Sequence, residues 1–300
     1  MQITKLLTAV LTTLLFFSCQ HQELTSPEAL PNSSAESTLG RLRALSEWGY
    51  AESDGPSQWC FLSPDFELCC ESRQDATQSP IDIATASTVV EKLPRFTFDY
   101  RRTSVEVLHN GHTIQANVPA GTGTIWIGEK AYNLLQFHFH TPSEHTVNGQ
   151  KFPIEAHLVH RADDGEIAVV GVFIVEGRKH GKLDEIWEEL PQEEGETQAI
   201  EEFELRSVLP NGDHWRRRNY RYDGSFTTPP CTESINWLVF AQPREMSAEQ
   251  IHAFQALFSG EEFPDGNRRN VQPVNNRPVH ADQWTFRAGD DTVHDNYAVE

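Results

Sequence analysis

The chain has 300 residues, and its 24 Lys and Arg against 44 Asp and Glu leave a formal charge of −20 and a pI near 5.0. This balance excludes recognition of nucleic acid, or of an anionic membrane, through a basic surface. A composition of 38% hydrophobic, 23% charged and 10% aromatic residues excludes global disorder, and 17 Phe and 7 Trp against 2 Met predict an interior of rigid aromatics.

At the N-terminus, a segment bearing Lys5 precedes an apolar run over 6–17, broken only by Thr8, Thr12 and Thr13 and too short to span a bilayer. It predicts an export signal over 1–19. Ser18 before Cys19 resembles a bacterial lipoprotein processing site, which makes Cys19 a candidate lipidation site and a lipid anchor the one expected membrane contact. The alternative is ordinary secretion, with Cys19 discarded. Residues 20–44, rich in Ser, Thr, Pro and Glu, predict a flexible tether. Uniform composition from Trp48 onward predicts one domain over 45–285, followed by a loose tail at 286–300.

Short β-branched or aromatic runs bounded by Gly, Pro or Asn predict strands at 104–108, 113–118, 124–127, 134–140, 154–160, 167–175 and 237–241. Helical spacing is confined to 182–190 and 247–257, the second with Ser247 as N-cap. The fold class is therefore mainly β, of the α+β kind, with short peripheral helices. The ten carboxylates within 184–204 read as a solvated face.

With Cys19 set aside, Cys60, Cys69, Cys70 and Cys231 are an even set in an oxidising compartment, and four cysteines allow three pairings. A bond between adjacent Cys69 and Cys70 is strained, because disulfides want Cα atoms roughly 4.4–6.8 Å apart. One of the two is expected to take Cys231 and the other Cys60. A cysteine-bound zinc site is disfavoured, since the sequence has no C-x-x-C pair.

The candidate chemistry lies in two strands. In 136–140, period-two alternation puts Gln136, His138 and His140 on one face and Phe137 and Phe139 on the other. In 155–159 the same rule groups Glu155, His157 and Val159, so a neighbouring strand can bring His157 to the first pair. Three neutral imidazoles with an open fourth position are the donor set of a catalytic Zn²⁺ site, whereas structural zinc sites are closed and usually contain thiolate. Gln136 and Glu155 stand two residues before a ligand, where each can take the second N–H of an imidazole and fix its tautomer. The competing reading is a set of half-buried histidines without metal.

The ordered motifs WGY (48–50), QSPIDI (78–83), NGH (110–112), QFHFH (136–140), SEHTVNG (143–149), EAHLVH (155–160), GSFTTPPC (224–231), NWLVF (236–240) and NNRPV (275–279) resemble the α-class carbonic anhydrases over about 48–281. The resemblance implies a single large twisted, mostly antiparallel central sheet of about ten strands. It implies that His138, His140 and His157 hold Zn²⁺, and that a zinc-bound hydroxide interconverts carbon dioxide and bicarbonate. Thr227 and Glu144 would orient the nucleophile and Thr228 would help bind bicarbonate. Val159, Val169, Phe226 and Trp237 would line the substrate pocket, with Phe226 in place of the usual Leu. His112 would carry the proton out, with Tyr50, Asn110 and Gln115 ordering waters.

Further expectations are a small-molecule substrate, no nucleic-acid partner, and a monomer or homodimer. The alternatives are a catalytically silent binding or adhesion module of the same fold, and a zinc esterase. Departures from the family pattern are the length of the stretch between Cys69 and Gln78, the additional cysteines, and an expanded rim at 211–219. His109, His160, His180, His214, His252, His280 and His294 carry no motif and read as surface or packing residues.

Overall fold

The computed structural model describes residues 48–70, 73, 75–210 and 218–282. The expected export signal with Cys19, the tether, the 286–300 tail and most of the 211–219 rim lie outside the described residues. In chain order the strands are β1 (Asp82–Ile83), β2 (Val89–Glu91), β3 (Phe96–Tyr100), β4 (Arg102–His109), β5 (Ile114–Asn117), β6 (Gly123–Ile127) and β7 (Lys130–His140). They continue with β8 (Thr146–Val147), β9 (Ile154–Arg161), β10 (Ile167–Glu176), β11 (Thr197–Glu204), β12 (Asn219–Ser225), β13 (Glu233–Met246) and β14 (His280–Asp282).

A sheet of 12 strands runs β11-β4-β5-β7-β9-β10-β13-β12-β14-β2, with β6 on β7 and β3 on β6. Its pairings are antiparallel except β10 with β13 and β14 with β2. Strands β1 and β8 form a separate parallel pair. The large β-rich sheet matches the expected class and exceeds the expected strand number.

The central strands read as continuous apolar runs because both faces are covered. In β10, Ile167–Glu176, nearly every residue is buried. One face carries Phe137, Phe139, Ala156, Leu158, Val170, Leu238 and Phe240 in the larger core. The opposite face carries Val159, Val169, Phe173, Trp237 and Val239. A bulge between Leu134 and Gln136 shifts the β7 register against β9. That extra residue lets Leu134, Phe137 and Phe139 share one core although strict alternation would separate Leu134 from the phenylalanines.

The helix at Ala248–Leu257 is as predicted: Ser247 Oγ accepts from the Gln250 N–H and the Gln250 side chain returns to Ser247. The expected 182–190 helix shrinks to Asp184–Trp187. Pro191 disfavours helical backbone at Leu190, which limits any continuation. The cysteines pair as Cys60–Cys70 and Cys69–Cys231, with Cα separations of 4.8 and 5.2 Å. This assigns Cys69, not Cys70, to Cys231.

Candidate metal centre

β7 and β9 run side by side in a register that sets His138 opposite His157. His140, two residues along β7, points to the same face, and one ring nitrogen from each of the three lies within 4.8 Å of the others. Two of the remaining nitrogens are hydrogen-bonded, and the third lies close to a carboxylate. His138 Nδ1 is 2.8 Å from Gln136 Oε1, and His140 Nδ1 is 2.7 Å from the Asn267 carbonyl. His157 Nε2 lies 3.0 Å from Glu155 Oε1, close but without hydrogen-bond alignment. An N–H held this way leaves the other nitrogen of each ring as a bare donor.

These residues fit a metal ion. His140 Nε2 is buried and has no hydrogen-bond partner among the described residues, a cost that a cation in the shared space removes. Burial lowers the His138 pKa well below its ordinary value, reinforced by His140 and His157, and burial also lowers that of His140. Both are thereby kept neutral, the form that ligates. The donor set is all imidazole, without thiolate, which is the composition of a zinc site that keeps a position open.

Glu155 anchors the surroundings of His157. Its Oε2 accepts from the Glu144 and His145 backbone N–H groups at 3.0 and 2.8 Å, and its Oε1 is 2.7 Å from His145 Nδ1. Burial alone would raise its pKa, but His145 and His157 outweigh burial and hold it well below the usual carboxylate range. His145 Nε2 meets the Tyr222 hydroxyl at 2.6 Å, and that hydroxyl meets Ser79 Oγ at 2.8 Å. Gly171 stands opposite His157 on β10, and a Cβ there would sit 3.0 Å from Glu155 Oε1.

Glu144 is fully buried. Its Oε1 accepts from the Arg269 N–H at 2.8 Å. Its Oε2 has no hydrogen-bond partner among the described residues and lies 3.5 Å from His140 Nε2 and 3.7 Å from His157 Nδ1. Thr227, just after β12, is buried, and it donates to neither Glu144 oxygen in this structure. The Thr228 carbonyl accepts from the Cys231 N–H at 2.9 Å, and the cis bond of this turn is Pro229–Pro230.

The apolar wall follows from register. Val159, Val169 and Trp237 are successive partners across β9, β10 and β13, and Phe226, half-buried, packs against their cluster. At the other side, His112 stacks on Trp48 with ring centroids 3.8 Å apart, and lies 6.4 Å from Tyr50. Asn110 Oδ1 accepts from the N–H groups of His112 and Thr113, and Asn110 Nδ2 reaches Gln115 Oε1 at 3.4 Å. Gln115 faces His138 in register. The Tyr50 hydroxyl is buried without a partner among the described residues, and burial, then Glu144, raise its pKa well above the ordinary value.

Asn267, Arg269 and Tyr222 carry contacts to this site that pattern reading did not single out. They act through an irregular segment and a distant strand, where no periodicity marks them. His145, within the SEHTVNG motif, lies against Glu155.

Three imidazoles gathered on one face of a large, mostly antiparallel sheet, two of them held by hydrogen-bond acceptors, are the donor set of a mononuclear metalloenzyme class. A sequence model of the eukaryotic-type carbonic anhydrase family matches residues 54–283. A carbonic anhydrase of Neisseria gonorrhoeae is 38% identical over 232 residues, covering 77% of this chain and 86% of that protein. The structure of the α-carbonic anhydrase of Thermovibrio ammonificans with sulfanilamide superposes with a TM-score of 0.71 at 39% identity, over 78% of this chain and 99% of that one. A dioscorin complexed with ascorbate superposes with a TM-score of 0.70 at 28% identity, over 78% of this chain and 97% of that one. The chain belongs to the α-class carbonic anhydrases.

Proposed function

We propose that this chain catalyses the reversible hydration of carbon dioxide to bicarbonate and a proton, with Zn²⁺ held by His138, His140 and His157. The observation that carries the reading is the buried His140 Nε2, without a hydrogen-bond partner among the described residues, within a three-imidazole set in which the Nδ1 atoms of His138 and His140 are held by acceptors. When bound, zinc supplies Lewis acidity that brings water's pKa to about 7, a figure established for carbonic anhydrases and adopted from them. Gln136, the Asn267 carbonyl and Glu155 fix the ligand rings. The Thr227 hydroxyl would accept a hydrogen bond from the nucleophilic water and donate one to Glu144, a contact not made in this structure, and so orient the nucleophile without taking its proton. Val159, Val169, Phe226 and Trp237 exclude water and seat an uncharged substrate, and Thr228 meets the product at the pocket mouth. His112 exports the proton, because an imidazole titrates near neutrality, and Tyr50, Asn110 and Gln115 order the intervening waters.

The complete donor set supports an enzyme over a silent binding module, and ester hydrolysis is a side activity of the same nucleophile. Two disulfides accord with an oxidising compartment. No helix among the described residues is long and apolar enough to cross a membrane. The N-terminal sequence and the disulfides support export to the cell envelope, with Cys19 as the lipid anchor; the working form is a monomer or homodimer. Substituting His140→Ala is expected to abolish zinc binding and hydration together, read by metal content and stopped flow. Full activity in metal-free His140→Ala protein contradicts the proposal.

A further inference from the structure

Asn267 belongs to no strand or helix, yet every polar atom of its side chain is used. Nδ2 donates to the His112 carbonyl at 3.0 Å and to the Phe139 carbonyl at 2.9 Å, while Oδ1 accepts from the Thr141 N–H at 2.7 Å. Its backbone carbonyl is the partner of His140 Nδ1. One fully buried residue thus joins the two neighbours of a metal ligand, the ligand itself, and the residue assigned to carry the proton.

The segment is built for this approach. Gly266 has φ +75°, and a Cβ on it would stand 1.8 Å from the Thr141 carbonyl oxygen, so only glycine lets the chain pass the end of β7. Two residues beyond Asn267, Arg269 pins the segment: its N–H holds Glu144, and its guanidinium donates to Gln78 Oε1, the Ser79 carbonyl and the Cys69 carbonyl at 2.7, 2.9 and 3.2 Å.

We infer that the Asn267 side chain is a positioning residue that couples the proton carrier to the metal centre, by fixing the His112 backbone against the β7 end that bears His140. This rests on the functional reading above. The turn has other ties to β7: Thr113 Oγ1 donates to the Phe139 carbonyl at 2.5 Å, and β5 pairs with β7. Those ties keep the fold when the Asn267 amide is removed. The Asn267 amide also donates to the His112 carbonyl, so its removal loosens that residue's backbone against β7 while the other ties hold the strand in place. A half-buried carbonyl that loses this donor shifts toward water, and the placement of the ring shifts with it.

The test is Asn267→Ala, with Asn267→Ser, which keeps one donor, as a second variant should the first fail to fold. In weak buffer kcat is expected to fall about fivefold or more, and concentrated imidazole to restore it, while kcat/KM and zinc content stay within about twofold of the parent. Independently of any activity, amide hydrogen exchange at His112 and Thr113 in the zinc-loaded protein is expected to rise about tenfold. Equal falls in kcat and kcat/KM with zinc loss would make Asn267 a purely structural residue and overturn the inference. So would unchanged exchange together with unchanged weak-buffer turnover. If the parent itself does not hydrate carbon dioxide, the functional reading fails, and the exchange measurement alone decides the positioning claim.

Discussion

Three residues along β9 separate two histidines of opposite character. His157 faces the metal centre, whereas His160 faces the larger core, where its Nε2 lies 2.5 Å from the Tyr100 hydroxyl. Burial pushes the His160 pKa down to about 4, and backbone carbonyls recover only part of that loss. The group is neutral in both states above its ordinary value of about 6.5, so it contributes no pH dependence there. As the pH falls from 6.5 towards 4, only the unfolded chain takes up the proton, and stability declines by about 3 kcal/mol in all. His160→Gln is therefore expected to flatten the fall in unfolding free energy between pH 7 and 4.5, measured by urea titration. His180, with its pKa also lowered to about 4, leaves a residual slope. Identical slopes in parent and variant would contradict this account. Alternation made the candidate ligand trio legible, since the odd and even positions of 136–140 and 155–159 sort the face that gathers the three imidazoles from the core. The same parity assigns His160 to the core. Asn267 was not legible, because its ligand contact runs through a backbone carbonyl, which any residue carries.

At the level of elements, sequence pattern succeeded where a strand is apolar or strictly alternating and failed where pairing alone makes it a strand. β11 is an acidic edge strand, expected only as a solvated face, and its pairing with β4 overrides its weak β character. β12 contains Asp223 and Gly224 and is held between β13 and β14. The two disulfides differ in the same way, by what they span. Cys69–Cys231 closes a separation of 162 residues, and Cys60–Cys70 one of 10. Chain entropy then assigns about 5 kcal/mol to the first and about 3 kcal/mol to the second. The long link also adjoins the site, since Gln78 Nε2 donates to the Cys231 carbonyl and Arg269 to the Cys69 carbonyl. Chemical denaturation of the paired Ser variants is expected to show the Cys69→Ser/Cys231→Ser protein less stable than the Cys60→Ser/Cys70→Ser protein by about 2 kcal/mol. Equal stabilities, or the reverse order, would show that the loop argument does not govern here.

For the whole molecule, one sheet does the placing. Its central strands bury both faces, and the smaller core and the candidate metal centre share one of them, so the imidazoles stand on strands packed on both sides. The hydrophobic runs made the sheet visible in the sequence, and the ordered motifs gave its family. The segment bearing Asn267 and Arg269 stayed hidden, because its position is set by contacts distant in sequence. The most direct test of the central claim is carbon dioxide hydration by stopped flow on the purified protein, as loaded with zinc, after chelation, and after zinc is returned. Activity that disappears with the metal and comes back with it is the predicted result. Hydration that survives complete removal of the metal, or a folded and zinc-loaded protein that is inert, would contradict it.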